Sequence, residues 1–196
     1  MSPPVYAQAP HLYVFFGAIG LWVVSDLHIG WRYGDRGDAS QDRGSKRVLG
    51  ASVVAGVVGA ALVPELVPAP SLPWPAIAFW IGIGTMALGV AVRQYAAWTL
   101  REYFSLEVAV DSTDSVVTAG PYRWVRHPSY TGGFTTLVGL GVAVGNWASL
   151  GIVIVAGLVG YGYRIAVEER ALRDQLGEEY EAYAERTPYR LVPGLW

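Results

Sequence analysis

The run Gly120-Pro121-Tyr122-Arg123-Trp124-Val125-Arg126-His127-Pro128-Ser129-Tyr130-Thr131-Gly132 places an Arg-His-Pro cluster directly against the start of a long apolar stretch. A second polar group, Arg164 followed by Glu168-Glu169, stands where that stretch ends. Ionisable groups at the edge of a hydrocarbon layer are costly to desolvate and mark functional sites. Helical residues three and four apart share a face, so Tyr161, Arg164 and Glu168 align, with Glu169 beside them. Arginines, a histidine, two carboxylates and several tyrosines are thereby set over apolar helices. Such a set could hold a zwitterionic cofactor from the water side and a lipophilic substrate from the lipid side.

Each half of this constellation also has a plainer reading. Arg164 with Glu168 can be an interfacial ion pair, and Arg126-His127 can be a basic membrane anchor. The chain has no cysteine, and His11 and His28 lie far from His127, so a zinc-type ligand set is not expected. Gly82, Gly84 and Gly89 fall inside an apolar block rather than after a strand, which argues against a dinucleotide fold. Gly141 and Gly145 have the spacing of helix packing in membranes. A net charge of −2 without a basic run gives no reason to expect a nucleic-acid partner.

The elements that carry these residues are apolar on all sides. Residues 12–27, 48–63, 76–92 and 130–166 form blocks rather than the one-sided stripes of soluble helices. A crossing takes about 20 residues, so the last block is too long for one and breaks at Gly145-Asn146-Trp147. The expectation is an all-α integral membrane protein, a single domain with transmembrane helices at 12–27, 48–67, 76–98, 129–145 and 147–167. The last two form a tight hairpin. A connector at 99–128 and a C-terminal helix and tail at 168–196 complete the chain, with Leu172, Leu176, Tyr180 and Tyr183 on one face of that helix.

Charge tests the count of five. Arg32, Arg36, Arg43, Lys46 and Arg47 share the first loop, Arg101, Arg123 and Arg126 the connector, and Arg164, Arg170, Arg173, Arg186 and Arg190 the final segment. Arg93 approaches that same side, whereas the links at 64–75 and 145–149 carry no Lys or Arg. All basic residues then face the cytoplasm, with the N-terminus outside. The first block lacks a basic leader and a clear cleavage site and is expected to be a retained helix. Oligomeric state, and whether the loop at 28–47 covers the site, stay open.

The motif at 116–132, together with Arg164, Glu168-Glu169-Arg170-Ala171-Leu172 and the ending at 176–196, resembles the isoprenylcysteine carboxyl methyltransferase family. The resemblance covers roughly residues 96–196; the first two helices carry none of it. It implies a membrane-embedded enzyme that moves a methyl group from S-adenosylmethionine to the carboxylate of a prenylated cysteine. Its partners would be a lipophilic small-molecule or prenylated substrate and membrane lipids. The wider superfamily includes phospholipid N-methyltransferases. By the same resemblance, Gly120, Tyr122, His127, Pro128, Tyr130, Glu168 and Glu169 surround the cofactor. On chemical grounds, Arg126 and His127 suit its carboxylate as donors of charge-assisted hydrogen bonds. Arg164 holds the acceptor or organises the glutamates. An amine acceptor has to lose a proton first, with Glu168 or Glu169 as the base. Sterol and lipid reductases that use NADPH share an Arg-His-Pro-x-Tyr-x-Gly segment and a similar ending, and a non-catalytic scaffold or transporter is the third alternative.

Overall fold

The computed structural model describes residues 3–33, 42, 44–66, 70–100 and 116–196. Arg36 and Arg43 of the first loop, Val67, and Arg101 and Asp114 of the connector lie outside the described residues. Among the described residues six α-helices follow one another: α1 His11–Tyr33, α2 Ser45–Leu66, α3 Pro75–Leu100, α4 Pro128–Val144, α5 Trp147–Leu176 and α6 Glu178–Arg186. Among the described residues the only β pairing is a single bridge between Ser71 and Asn146.

Local chemistry sets the helix ends. Pro75 and Pro128 open α3 and α4, at the position where a missing N–H costs nothing. Gly145 closes α4 at φ 77°, a left-handed conformation that favours glycine. Asn146 then caps α5, its side-chain oxygen accepting from the backbone N–H of Ala148 at 2.9 Å and of Ser149 at 3.2 Å. Gly177, at φ 50°, separates α5 from α6, so residues 168–176 continue the fifth helix rather than start a new one.

Among the described residues four helices, α1, α2, α3 and α5, are long and apolar enough to cross a membrane, by length and composition. Their outer faces expose Leu21, Val24, Val54, Leu62, Ile81 and Val155, as expected of surfaces that meet lipid. With its 17 residues α4 is shorter, about 25 Å at 1.5 Å per residue. It is also the most enclosed, packed against α3 on one side and α5 on the other. The α3–α4 seam is close enough that a Cβ on Gly132 would lie 2.6 Å from Gly89 O and from Arg93 N, so only glycine fits there. Phe79, Met86, Leu137, Leu140 and Val153 fill the centre of the bundle. Between α2 and α5, Ser149 Oγ donates to Ala60 O at 2.7 Å, and Gly56 sits against Ala156.

The bundle has two unlike ends. At one, the linker before α3 meets the α4–α5 turn, with Leu72 N–H donating to Gly145 O at 2.8 Å. At the other, Asp26 of α1 meets Arg93 of α3, Ser45 of α2 meets Arg164 of α5, and Arg93 reaches Ser129 of α4. The polar groups singled out in the sequence gather at this second end.

Candidate functional site

The start of α4 and the last third of α5 face one another across the polar end. Residues 120–123 form a 3-10 turn, with Gly120 at φ 56° packed against Thr99 and Tyr95 of α3. Tyr122 is buried; its hydroxyl donates to Ala96 O at 3.4 Å and its carbonyl accepts from Tyr183 Oη at 2.7 Å. Burial, with the Glu168 charge as a lesser cause, pushes the Tyr122 phenol well above its ordinary pKa. Burial pushes Tyr183 up as well, so both remain hydrogen-bond donors. Gly120 and Tyr122 thus brace the turn on α3, while the other expected site residues converge between α4 and α5.

Glu169 is the hub of the inner layer. Only 2% exposed, it accepts from Arg126 Nε at 2.9 Å, from Arg173 at 3.1 Å and from both arms of the Arg190 fork at 3.1 and 3.0 Å. His127 Nε2 stands 3.4 Å from the same carboxylate. Arg126 also donates to the carbonyls of Ala184 at 3.3 Å and Thr187 at 3.1 Å. Burying a carboxylate is unfavourable unless it is paired and its lone pairs are filled, and here they are. The tail completes this layer, since the backbone N–H groups of Arg126 and His127 donate to Tyr189 O and Arg190 O. Thr131 Oγ1 donates to Leu191 O at 2.7 Å.

Glu168 belongs to an outer layer and keeps 29% of its side chain exposed. Tyr130 Oη donates to Glu168 Oε2 at 2.6 Å and accepts from Arg164 Nε at 3.0 Å. His127 Nδ1 lies 3.9 Å from Glu168 Oε1, and the His127 and Tyr130 rings stack with centroids 5.6 Å apart. Pro128, fully buried, locks the backbone between those two rings. Tyr161 is buried beside Tyr130, at 5.8 Å between ring centroids. Arg164 therefore reaches Glu168 through Tyr130, a linkage that a helical wheel of α5 alone does not contain.

Several partners were not singled out as site residues in the sequence. Asp42, just before α2, and Ser45, its first residue, both contact Arg164 NH1, Ser45 Oγ at 2.7 Å. Arg190 supplies the bidentate arm on Glu169. Arg93 ties α1 to α4 through Asp26 at 2.7 Å and Ser129 Oγ at 3.1 Å. The available sequence signal was the position of these residues on the basic side of the chain, which does not specify pairs.

The comparisons with known proteins fall on this region. Residues 80–174 match the model of the isoprenylcysteine carboxyl methyltransferase (ICMT) family, a segment running from α3 through α4 and most of α5. The resemblance carried by the Arg-His-Pro motif and the paired glutamates is thereby shown. The protein-S-isoprenylcysteine O-methyltransferase of Xenopus laevis is 34% identical over 110 residues, 55% of this chain and 38% of that protein. The Schizosaccharomyces pombe protein of the same name is 32% identical over 108 residues, 54% of this chain and 46% of its own length. The chain thus spans less than half the length of these two relatives. In three dimensions it is similar to a solved structure of the eukaryotic intramembrane Ras methyltransferase ICMT, with a TM-score of 0.66 at 22% identity, over 97% of this chain and 70% of that one. The chain shares that all-helical membrane fold.

Proposed function

We propose that the polar end of the bundle is the active site of a methyltransferase that uses S-adenosylmethionine and acts on the carboxylate of a lipophilic, isoprenylcysteine-like acceptor. The observation that carries the reading is the half-open Glu168 carboxylate, held by Tyr130 beside His127 within the segment that matches the family. A cofactor with a cationic sulfonium and an ammonium group fits a carboxylate that is fixed yet still accessible. When bound it supplies a methyl group already activated for transfer, so the chain's task is orientation and electrostatics. Glu168, His127 and Tyr130 line its side of the site. Gly120, Tyr122 and Pro128 shape the turn, and Arg126 with Glu169 form the buried frame behind it.

Arg164 is assigned to the acceptor. Its guanidinium suits a carboxylate by charge-assisted hydrogen bonds. An ionised carboxylate is already nucleophilic, so no strong base is required of the chain. What the site contributes is alignment and exclusion of water, and a well-oriented pair can lower a barrier by about 7–11 kcal/mol. An amine acceptor would need to lose a proton first, a task for which Glu168 is the suitable base.

The same reading places five crossings in the membrane, with α4 and α5 as a hairpin. The 30 residues of α5 extend about 45 Å, well beyond a hydrocarbon layer of about 30 Å, so its end from Arg164 onward stands at the interface. The basic end of the bundle faces the cytoplasm and the N-terminus lies outside, by the distribution of arginine. Incubation of the detergent-solubilised protein with methyl-labelled S-adenosylmethionine and N-acetyl-S-farnesylcysteine tests the proposal. Label released by mild base, as from an ester, is the expected result. Transfer only to amine acceptors, giving base-stable label, would move the acceptor assignment. No transfer combined with NADPH binding would replace it with a reductase.

A further inference from the structure

Arg164 does not wait in the site as an open cation. Its NH1 group contacts both the Asp42 carboxylate and Ser45 Oγ, and all three residues are buried, at 2%, 7% and 0% exposure respectively. Asp42 is itself fixed from several directions. Ser45 Oγ donates to Asp42 Oδ1 at 3.1 Å, the backbone N–H of Lys46 approaches Oδ2 at 3.3 Å, and the backbone N–H of Ser45 donates to Asp42 O at 2.8 Å. The carboxylate is thus tied to the first turn of α2 from just before it and presented to α5 across 122 residues of chain. On the far side of the same guanidinium, Nε holds Tyr130, which holds Glu168. The order is Asp42, Arg164, Tyr130, Glu168, with an arginine between two acidic groups.

We infer that Asp42 is a positioning residue, a resident carboxylate that occupies one arm of Arg164 and sets how strongly this arginine holds an acceptor carboxylate. The inference rests on the methyltransferase reading above. An incoming anion meets an arginine already paired and must compete with Asp42 for it. That competition has a catalytic use, because an arginine that gripped the ionised acceptor tightly in the ground state would add affinity without adding rate. Arg164 is at the same time held in one orientation towards Tyr130 and Glu168.

The test is the isosteric variant Asp42→Asn, which keeps an oxygen for Arg164 and removes the charge. Its readouts are kcat and KM for N-acetyl-S-farnesylcysteine, with the affinities of that acid and of its methyl ester measured separately. The expected result is a split: KM for the acid falls by about threefold or more and kcat falls by about tenfold. Preference for the acid over the ester rises, and S-adenosylhomocysteine affinity stays within about twofold. Asp42→Ala should move in the same directions. A rise in KM accompanying a lower kcat would mark Asp42 as a frame residue and overturn the inference. So would parameters within twofold of wild type, or failure of both variants to fold. A wild-type protein that binds S-adenosylhomocysteine and methylates the acid while Asp42→Asn is unchanged sinks this inference alone. A wild type that does neither sinks the methyltransferase reading and this inference with it.

Discussion

The two ends of the bundle solve the same problem in opposite ways. Where α4 turns into α5, a left-handed glycine, one asparagine cap and a backbone hydrogen bond from Leu72 close the structure, without an ionisable side chain in any of those roles. At the other end, α4 begins and α5 finishes among Arg126, His127, Glu168, Glu169, Arg173 and Arg190. A helix end needs only a cap and a turn, as the first region demonstrates. The charges of the second therefore exceed what termination requires, and they divide into a closed layer around Glu169 and a half-open layer around Glu168. Neighbouring glutamates on one helix thus sit differently, one buried and holding the end together and the other half-open, in the position proposed to face the cofactor.

That division can be broken at the closed layer first. Glu169→Ala leaves the Arg126 guanidinium buried without its carboxylate, and loss of one partner of a buried pair costs about 3–5 kcal/mol. Thermal melting in detergent should show a large drop, with α6 and the tail exchanging amide protons faster. At the opposite end, Asn146→Ala removes the cap of α5 and should cost about 1 kcal/mol, with cofactor affinity unchanged. A larger loss there than at Glu169 would reverse the comparison.

The smallest effect concerns pH. Burial pushes the Asp42 carboxyl up, but the Lys46 backbone N–H and the Arg164 guanidinium outweigh it and hold the group below the usual carboxylate range. A depressed carboxyl contributes stability that is complete above its unfolded pKa of about 3.9 and is lost as pH falls through the lower folded value. Melting temperature should therefore decline more steeply below about pH 4 in wild type than in Asp42→Asn. Equal slopes would mean that the Arg164 contact contributes nothing to folding.

Much of the architecture was legible in the sequence because it depends on local patterns. Blocks apolar on all sides gave the helices, and Gly145-Asn146 gave the turn between α4 and α5, since each residue suits a specific backbone state. Tyr161, Arg164 and Glu168 could be aligned from helical spacing alone. The pairings across the polar end could not. Arg164 with Asp42, Glu169 with Arg190, and Arg93 with Asp26 join segments far apart in the chain, and only packing decides which of many basic-side residues meet. The stretch 168–186 read as one helical pattern because a lone glycine is tolerated in such patterns; Gly177 adopts φ 50° and divides it.

The central claim, that the half-open glutamate layer binds S-adenosylmethionine, is tested most directly by the melting temperature of the solubilised protein. Wild type and Glu168→Gln are compared with S-adenosylhomocysteine and with NADPH. The glutamine still offers Tyr130 an acceptor oxygen, so the unliganded protein should melt nearly as wild type does. A ligand at a hundredfold excess over its dissociation constant stabilises by about 2.7 kcal/mol. The account predicts that shift for wild type with S-adenosylhomocysteine, its loss in Glu168→Gln, and none with NADPH. A shift with NADPH alone, or one with S-adenosylhomocysteine that survives the substitution undiminished, would contradict it.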